Sequence, residues 1–142
     1  MHVSELMTAE VSKVDLGTSV ADAAAMMQEQ NTGCIVVVDV VKDGALAGII
    51  TERDMVLGCL IDGHTSSKCP VNRHMTALNE VATPQTDTGD ALLIMMDSEV
   101  SYLPVVNEAG SVIGLLYAED LSRAIEEDID PMAKLDGDLI TV

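Results

Sequence analysis

Gly48-Ile49-Ile50-Thr51-Glu52-Arg53-Asp54 and Gly114-Leu115-Leu116-Tyr117-Ala118-Glu119-Asp120 are two versions of one heptad, 66 residues apart. Each closes a short apolar run and begins an amphipathic one, so each reads as a strand passing into a helix. A helix N-terminus presents unpaired N–H groups and the positive end of a dipole, which suit a phosphate or another anion. Thr51 and Asp54 stand three apart at that junction. Two readings fit them. Thr-x-x-Asp is close to a capping box, which needs no ligand. A hydroxyl and a carboxylate so placed also suit a ribose, the carboxylate accepting from both vicinal hydroxyls.

Outward from the heptads, the whole chain matches itself. At an offset of 68 residues Met7-Thr8 falls on Met75-Thr76, Asp22-Ala23 on Asp90-Ala91, and Met27 on Met95. The run Ile35–Asp39 falls on Leu103–Asn107. Beyond it the offset drops to 66, with Gly44 on Gly110 and Asp54 on Asp120. A two-residue length change in a turn explains the switch, because turns absorb insertions and strands do not. Such repetition implies two copies of one supersecondary unit, each too small to bury its own apolar faces.

The first copy reads as a short leading segment at 3–8, a brief strand at Val11–Val14, and a helix begun by Ser19 with Asp22. Val20, Ala23, Ala24 and Met27 form that helix's apolar stripe, and Asn31-Thr32-Gly33 ends it. Ile35–Val41 is a nearly unbroken β-branched run, hence a buried strand, and Ala45–Ile50 returns as its hairpin partner. A second helix is expected from about Glu52 to Leu60, with Met55, Val56, Cys59 and Leu60 inward. The second copy repeats the order: a helix begun by Asp87 and Asp90, strands at Tyr102–Val106 and Val112–Leu116, and a helix from Ala118 to about Asp128. Pro131 cannot continue that helix smoothly. The fold class is α+β. The expected division is a first repeat at 1–62, a linker at 63–72, a second repeat at 73–128 and an acidic tail at 129–142.

Composition narrows the function. Residues 1–66 carry three bases against ten acids, and residues 67–142 four against fourteen, for a net charge of −17. Such a field repels nucleic acid and anionic lipid, so neither is an expected partner. It also disfavours free ATP without a cation, and favours adenosine, AMP or a cationic sulfonium compound. No apolar run is long enough to span a membrane, and three widely spaced cysteines make a poor disulfide framework, so a cytoplasmic protein is expected. Tyr102 and Tyr117 are the only aromatic residues of the Phe, Trp and Tyr class. Aliphatics and nine Met must then fill the core, and a bound base is expected between aliphatic side chains.

The repeat, the element order and the Gly-x-x-Thr-x-x-Asp junction together resemble a tandem pair of cystathionine-β-synthase (CBS) domains, from about Val3 to Glu127. The resemblance implies two repeats packed about a pseudo-twofold axis, and a regulatory or energy-sensing module without catalysis. It also implies an adenosine-type ligand in a cleft between the copies: AMP, ADP, ATP, adenosine or S-adenosylmethionine. No cofactor is required. A homodimer and a separate, unidentified regulated protein are implied partners. Carried onto this chain, Asp54 holds the ribose diol, with Thr51 beside it at ribose or phosphate. Arg53 either reaches a phosphate or makes a surface ion pair. Lys13 either neutralises phosphate or narrows the cleft. The base slides between the Ile35–Val38 and Ala45–Ile50 strands, which brings in Val36, Gly48 and Ile49. In the second copy Leu103, Pro104 and Asp120 hold the corresponding places, but Tyr117 replaces the threonine and either plugs that cleft or stacks on a base. One competent site is therefore expected.

Three rivals deserve a hearing. A ligand-free interaction module of the same fold would use Thr51 and Asp54 only as a cap. Cys59, His64, Cys69 and His74 recur every five residues, which suggests zinc. Structural zinc usually takes Cys-x₂₋₄-Cys and His-x₃₋₅-His pairs, whereas here the types alternate and Cys59 is expected inside, so no metal site is expected. Met26, Met27, Met95 and Met96 lie on helical stripes and read as core. For an enzyme, there is no nucleophile with an adjacent base and no Gly-rich phosphate loop, so catalysis is not expected.

Overall fold

A computed structural model describes residues 1–129 apart from Asn79. The proposed acidic tail beyond Ile129, with Pro131, lies outside the described residues. The order is β1 (Lys13–Asp15), α1 (Val20–Gln30), β2 (Cys34–Asp39), β3 (Ala45–Thr51), α2 (Glu52–Asp54, prolonged by π-helical turns at Met55–Leu60), α3 (Thr88–Ser98), β4 (Tyr102–Val106), β5 (Val112–Tyr117) and α4 (Ala118–Ile129). β1 pairs parallel to β2, and β2 antiparallel to β3; β4 and β5 form the second hairpin. A single parallel bridge, Ala82 to Val105, stands where β1 stands in the first copy. The fold is mixed α and β, built twice. None of the described helices is long and apolar enough to cross a membrane.

Local chemistry sets these elements. Ser19 caps α1 by accepting from the Asp22 N–H at 3.0 Å, and Asn31 closes it in the left-handed conformation at φ 52°. Asp87 caps α3 by accepting from the Gly89 N–H. The β-branched run stops short of Val41. Asp39 Oδ1 accepts from the Val41 N–H and turns the chain, leaving Val40 and Val41 exposed in a 3₁₀ turn. In the second hairpin Asn107 Oδ1 accepts from both Ala109 and Ser111, giving a tighter turn. The two-residue offset change therefore sits in the hairpin turn.

Among the described residues, three apolar clusters hold the molecule together. Ile35, Val37 and Ile50 meet Val20, Ala23 and Met27 inside the first copy. Leu103, Val105 and Leu116 meet Ala91, Met95 and Leu121 inside the second. The opposite faces of the same strands form the seam between copies, where Cys34, Val36 and Ile49 pack on Val112 and Leu115. A strand buried on both faces needs a continuous apolar run, which β2 supplies. Ala24 and Met96, expected inside, lie on exposed faces of their helices, with Met96 65% exposed.

The leading segments cross over. Val3 is fully buried in the second copy's core, while Val71 is fully buried in the first copy's. Their backbones repeat one pattern. The Val3 N–H donates to the Thr86 carbonyl at 2.9 Å, and the Val71 N–H to Thr18 at 2.8 Å. Thr8 exchanges hydrogen bonds with Leu115 at 2.9 and 3.0 Å, and Thr76 with Ile49 at 2.8 and 3.0 Å. Cys69 and Val71, within the stretch read as linker, are thus core residues of the first copy. Packing runs across the sequence boundaries between repeats, and each unit is completed by the segment that leads into the other.

Candidate functional site

Thr51 ends β3 in an extended conformation and becomes the cap of α2. Its Oγ1 accepts from the Asp54 N–H at 3.1 Å, and Asp54 Oδ2 accepts from the Thr51 N–H at 3.0 Å. The capping box anticipated from sequence is therefore closed. A third residue joins it: Thr76 Oγ1 lies 3.1 and 3.2 Å from the two Asp54 carboxylate oxygens and donates to them. Thr76 arrives on the crossing segment, held against β3 by its paired bonds to Ile49. Gly48 permits that approach, since a Cβ there would lie 2.4 Å from the Thr76 carbonyl oxygen. Gly48 thus serves close backbone packing and is absent from the cleft lining.

Beside this junction lies a cleft of about 440 Å³. Ile49, Thr51, Arg53, Asp54 and Thr76 form one wall, and residues 98–102 at the α3–β4 junction form the other. Small-molecule sites span this range of volumes. Arg53 is exposed and makes no ion pair among the described residues, so its guanidinium is free at the rim. Tyr102 brings an aromatic ring into the wall, where only aliphatics were expected. Its hydroxyl lies over Gly33, at 2.9 Å from where a Cβ would be. Burial first, then the charges of Cys34, Glu52 and Tyr117, hold its phenol above the usual range, so it stays a hydrogen-bond donor.

The related cleft at the other end of the seam is smaller, about 100 Å³, and is lined by Thr8, Ser12, Gln30, Thr32, Cys34 and Tyr117, among others. Tyr117 reaches across it, its hydroxyl 3.3 Å from Thr32 Oγ1, and meets Tyr102 edge to face at 5.5 Å. Ser12 and Gln30 hydrogen-bond across the same space. Asp120, the counterpart of Asp54, is not part of this lining and instead pairs with Arg123 at 2.8 Å. Burial, and then the Asp54 carboxylate, push the Cys34 thiol up to about 12.

The structure gathers Ile49, Thr51, Arg53 and Asp54 around one cleft. It does not bring Lys13 there. Lys13 is exposed on β1, and the neighbouring residues Glu10, Val11 and Ser12 face the other cleft, because the leading segments cross. Val36 is fully buried in the seam, and Leu103 and Pro104 are buried in β4. The expectation of a base between the β2 and β3 strands is corrected: they are hydrogen-bonded neighbours, with Ile35 opposite Ile50 and Val36 opposite Ile49. Sequence reasoning missed Thr76, Tyr102 and residues 98–101. The repeated Met-Thr pair was the available signal, but it marked duplication without revealing where the second copy would touch the first.

The sequence model of the CBS domain matches residues 3–58 and 74–127. A 17.7 kDa protein of Acidianus ambivalens is 34% identical over 87% of this chain and 72% of its own length. The CBS domain-containing protein CBSX3, mitochondrial, of Arabidopsis thaliana is 36% identical over 75% of this chain, which spans about half (52%) of that relative. Among solved structures, the CBS domain pair of protein MJ0100, in complex with 5′-methylthioadenosine and S-adenosyl-L-methionine, superposes with a TM-score of 0.78 at 23% identity, covering 90% of this chain and 98% of that one. CBS domain protein PAE2072 from Pyrobaculum aerophilum, complexed with AMP, gives 0.76 at 17% identity over 84% and 89%. Two matched segments, a duplicated α-β-β-α order and a shared fold lead to one conclusion: this chain belongs to the CBS domain family, as a tandem pair.

Proposed function

We propose that the pair is a regulatory module that takes one adenosine-type ligand per chain in the larger cleft. The observation carrying this reading is the contrast between the two clefts: one of about 440 Å³ beside Thr51, Arg53 and Asp54, the other of about 100 Å³ crossed by Tyr117. A ribose diol placed at Asp54 uses lone pairs left over after Thr51 and Thr76, since a carboxylate offers about four acceptor sites. Arg53 at the rim meets a phosphate, and the base lies toward Ile49 and Tyr102. The related pairs from MJ0100 and PAE2072 carry adenosine compounds, which supports the ligand class. The strong negative charge favours AMP, adenosine or S-adenosylmethionine over free ATP.

The closed capping box favours a second reading, a ligand-free interaction module in which Asp54 only joins α2 to the crossing segment. Either way the signal passes through protein contacts. Val56, Leu57, Leu60 and Ile61 beyond α2, with Leu93 and Met96 on α3, are exposed apolar side chains suited to a homodimer or to a regulated partner. Calorimetric titration with adenosine, AMP, ADP, ATP and S-adenosylmethionine separates the readings. The ligand reading expects saturable binding by at least one of them, abolished by Asp54→Ala. Heat-silent titrations with all five, backed by unchanged melting temperatures, support the interaction module instead.

A further inference from the structure

Where the turns after Asp54 face the segment leading to Thr76, the side chains that recur every five residues come together. Cys69 Sγ lies 3.0 Å from His74 Nε2 and 3.7 Å from His64 Nδ1, and the two histidine nitrogens are 3.2 Å apart. Cys59 Sγ, Cys69 Sγ and a His74 nitrogen all lie within 4.8 Å of one another. Zinc bonds of ~2.3 Å to sulfur and ~2.05 Å to nitrogen, at tetrahedral angles, require donor separations of about 3.3 Å for N–N, 3.6 Å for S–N and 3.8 Å for S–S. The His64–His74 and Cys69–His64 separations of 3.2 and 3.7 Å match those edges, and the Cys69–His74 pair at 3.0 Å has to open slightly to admit the ion. Both sulfurs are buried, while His64 is exposed and able to rotate onto the fourth corner.

The backbone builds this arrangement in two places. The π-helical turns at Met55–Leu60 widen the helix and set Cys59 inward, where its carbonyl accepts from the His64 N–H at 3.0 Å. Gly58 leaves room for His74, because a Cβ there would stand 2.3 Å from His74 Nδ1. The alternating spacing that argued against a metal from sequence is closed by this compact turn rather than by two short ligand loops.

We propose that Cys59, Cys69 and His74, completed by His64, form a structural site for a thiophilic divalent cation of the zinc class. Two thiolates and two imidazoles select zinc over magnesium or calcium, which prefer oxygen. Four protein ligands make a closed site, suited to structure rather than catalysis. Zinc takes both sulfurs as thiolates, so binding releases their protons. The ion joins the helical turns that begin at Asp54 to the crossing segment that ends at Thr76. It would therefore brace the two elements meeting at the Asp54–Thr76 contact. The site stands whether or not the cleft binds a nucleoside.

Cobalt(II) titration of the reduced, full-length, metal-stripped protein tests this. One equivalent per chain is expected, with the visible bands of tetrahedral cobalt, near-ultraviolet thiolate charge transfer, and displacement by zinc. Cys69→Ser and His74→Ala should lose that spectrum, His64→Ala should weaken uptake, and Cys34→Ser should keep it. Should a variant misfold, alkylation mapping of the wild type serves instead, with zinc protecting Cys59 and Cys69 together. No uptake after reduction, an octahedral spectrum without thiolate bands, an unchanged spectrum in Cys69→Ser, or no zinc protection overturns the proposal.

Discussion

Gly48→Ala and Gly114→Ala are the same substitution at equivalent places, yet they should differ in cost. At Gly48 the new methyl meets backbone: the Thr76 carbonyl oxygen at 2.4 Å, its carbon at 3.2 Å and the Ala77 Cα at 3.4 Å. Relief requires moving the crossing segment. That movement breaks the reciprocal Ile49–Thr76 bonds of 2.8 and 3.0 Å and draws Thr76 away from Asp54. Two hydrogen bonds at about 1 kcal/mol each, added to overpacking of about 1–3 kcal/mol, give roughly 3–5 kcal/mol. At Gly114 the methyl meets one side chain, Met7, with Sδ at 2.4 Å, Cγ at 2.9 Å and Cβ at 3.1 Å. The thioether end swings aside and the Met7 Cβ has to give by only a few tenths of an ångström, so the cost should be about 1–2 kcal/mol. Urea denaturation of the two variants beside wild type measures the difference. Equal losses, or a Gly48→Ala loss below about 0.5 kcal/mol, would refute the crossing of Thr76 over β3.

Three further outcomes are expected. Tyr117→Thr removes the phenol spanning the smaller cleft, so ligand stoichiometry by calorimetry should rise from one toward two per chain; an unchanged value of one means that Tyr117 is not what closes it. Val3→Ala and Val71→Ala should each destabilise the protein by about 2–3 kcal/mol, because each is fully buried in the copy opposite to its sequence neighbours; a neutral Val3→Ala in thermal unfolding would count against the exchange. The Cys34 thiol is pushed up to about 12 in the folded protein from 9.0, so folding favours its protonated form. That contribution is complete below about pH 9 and declines from there toward pH 12, by about 1.4 kcal/mol per pH unit. Cys34→Ala should flatten the alkaline limb of the stability–pH curve, and an unaltered limb would contradict it.

Much of the architecture was legible because duplication lets each copy check the other. The caps at Ser19 and Asp87, the strands Tyr102–Val106 and Ala45–Thr51, and the insertion in the first hairpin all follow from local chemistry compared across the repeat. What was not legible is mostly long-range. Lys13 belongs with Asp54 when the chain is read in order, but the exchanged leading segments carry its neighbours to the other cleft. Thr76 reaches the Asp54 cleft on the other exchanged segment, and Tyr102 reaches it across the seam between the copies. Other misses are local competitions. Val40 and Val41 have strand propensity, and Asp39 overrides it with a turn bond. Leu60 fits a helical stripe of period 3.6, but the π-helical turns change the period and leave it 71% exposed.

The most direct test of the central reading is a crystal structure grown with saturating AMP. The account predicts nucleotide at the seam beside Thr51, with ribose hydroxyls on the Asp54 carboxylate, phosphate toward Arg53, and Tyr117 still across the smaller cleft. Nucleotide bound only elsewhere, or a filled larger cleft in which Asp54 keeps no partners but Thr51 and Thr76, would contradict it.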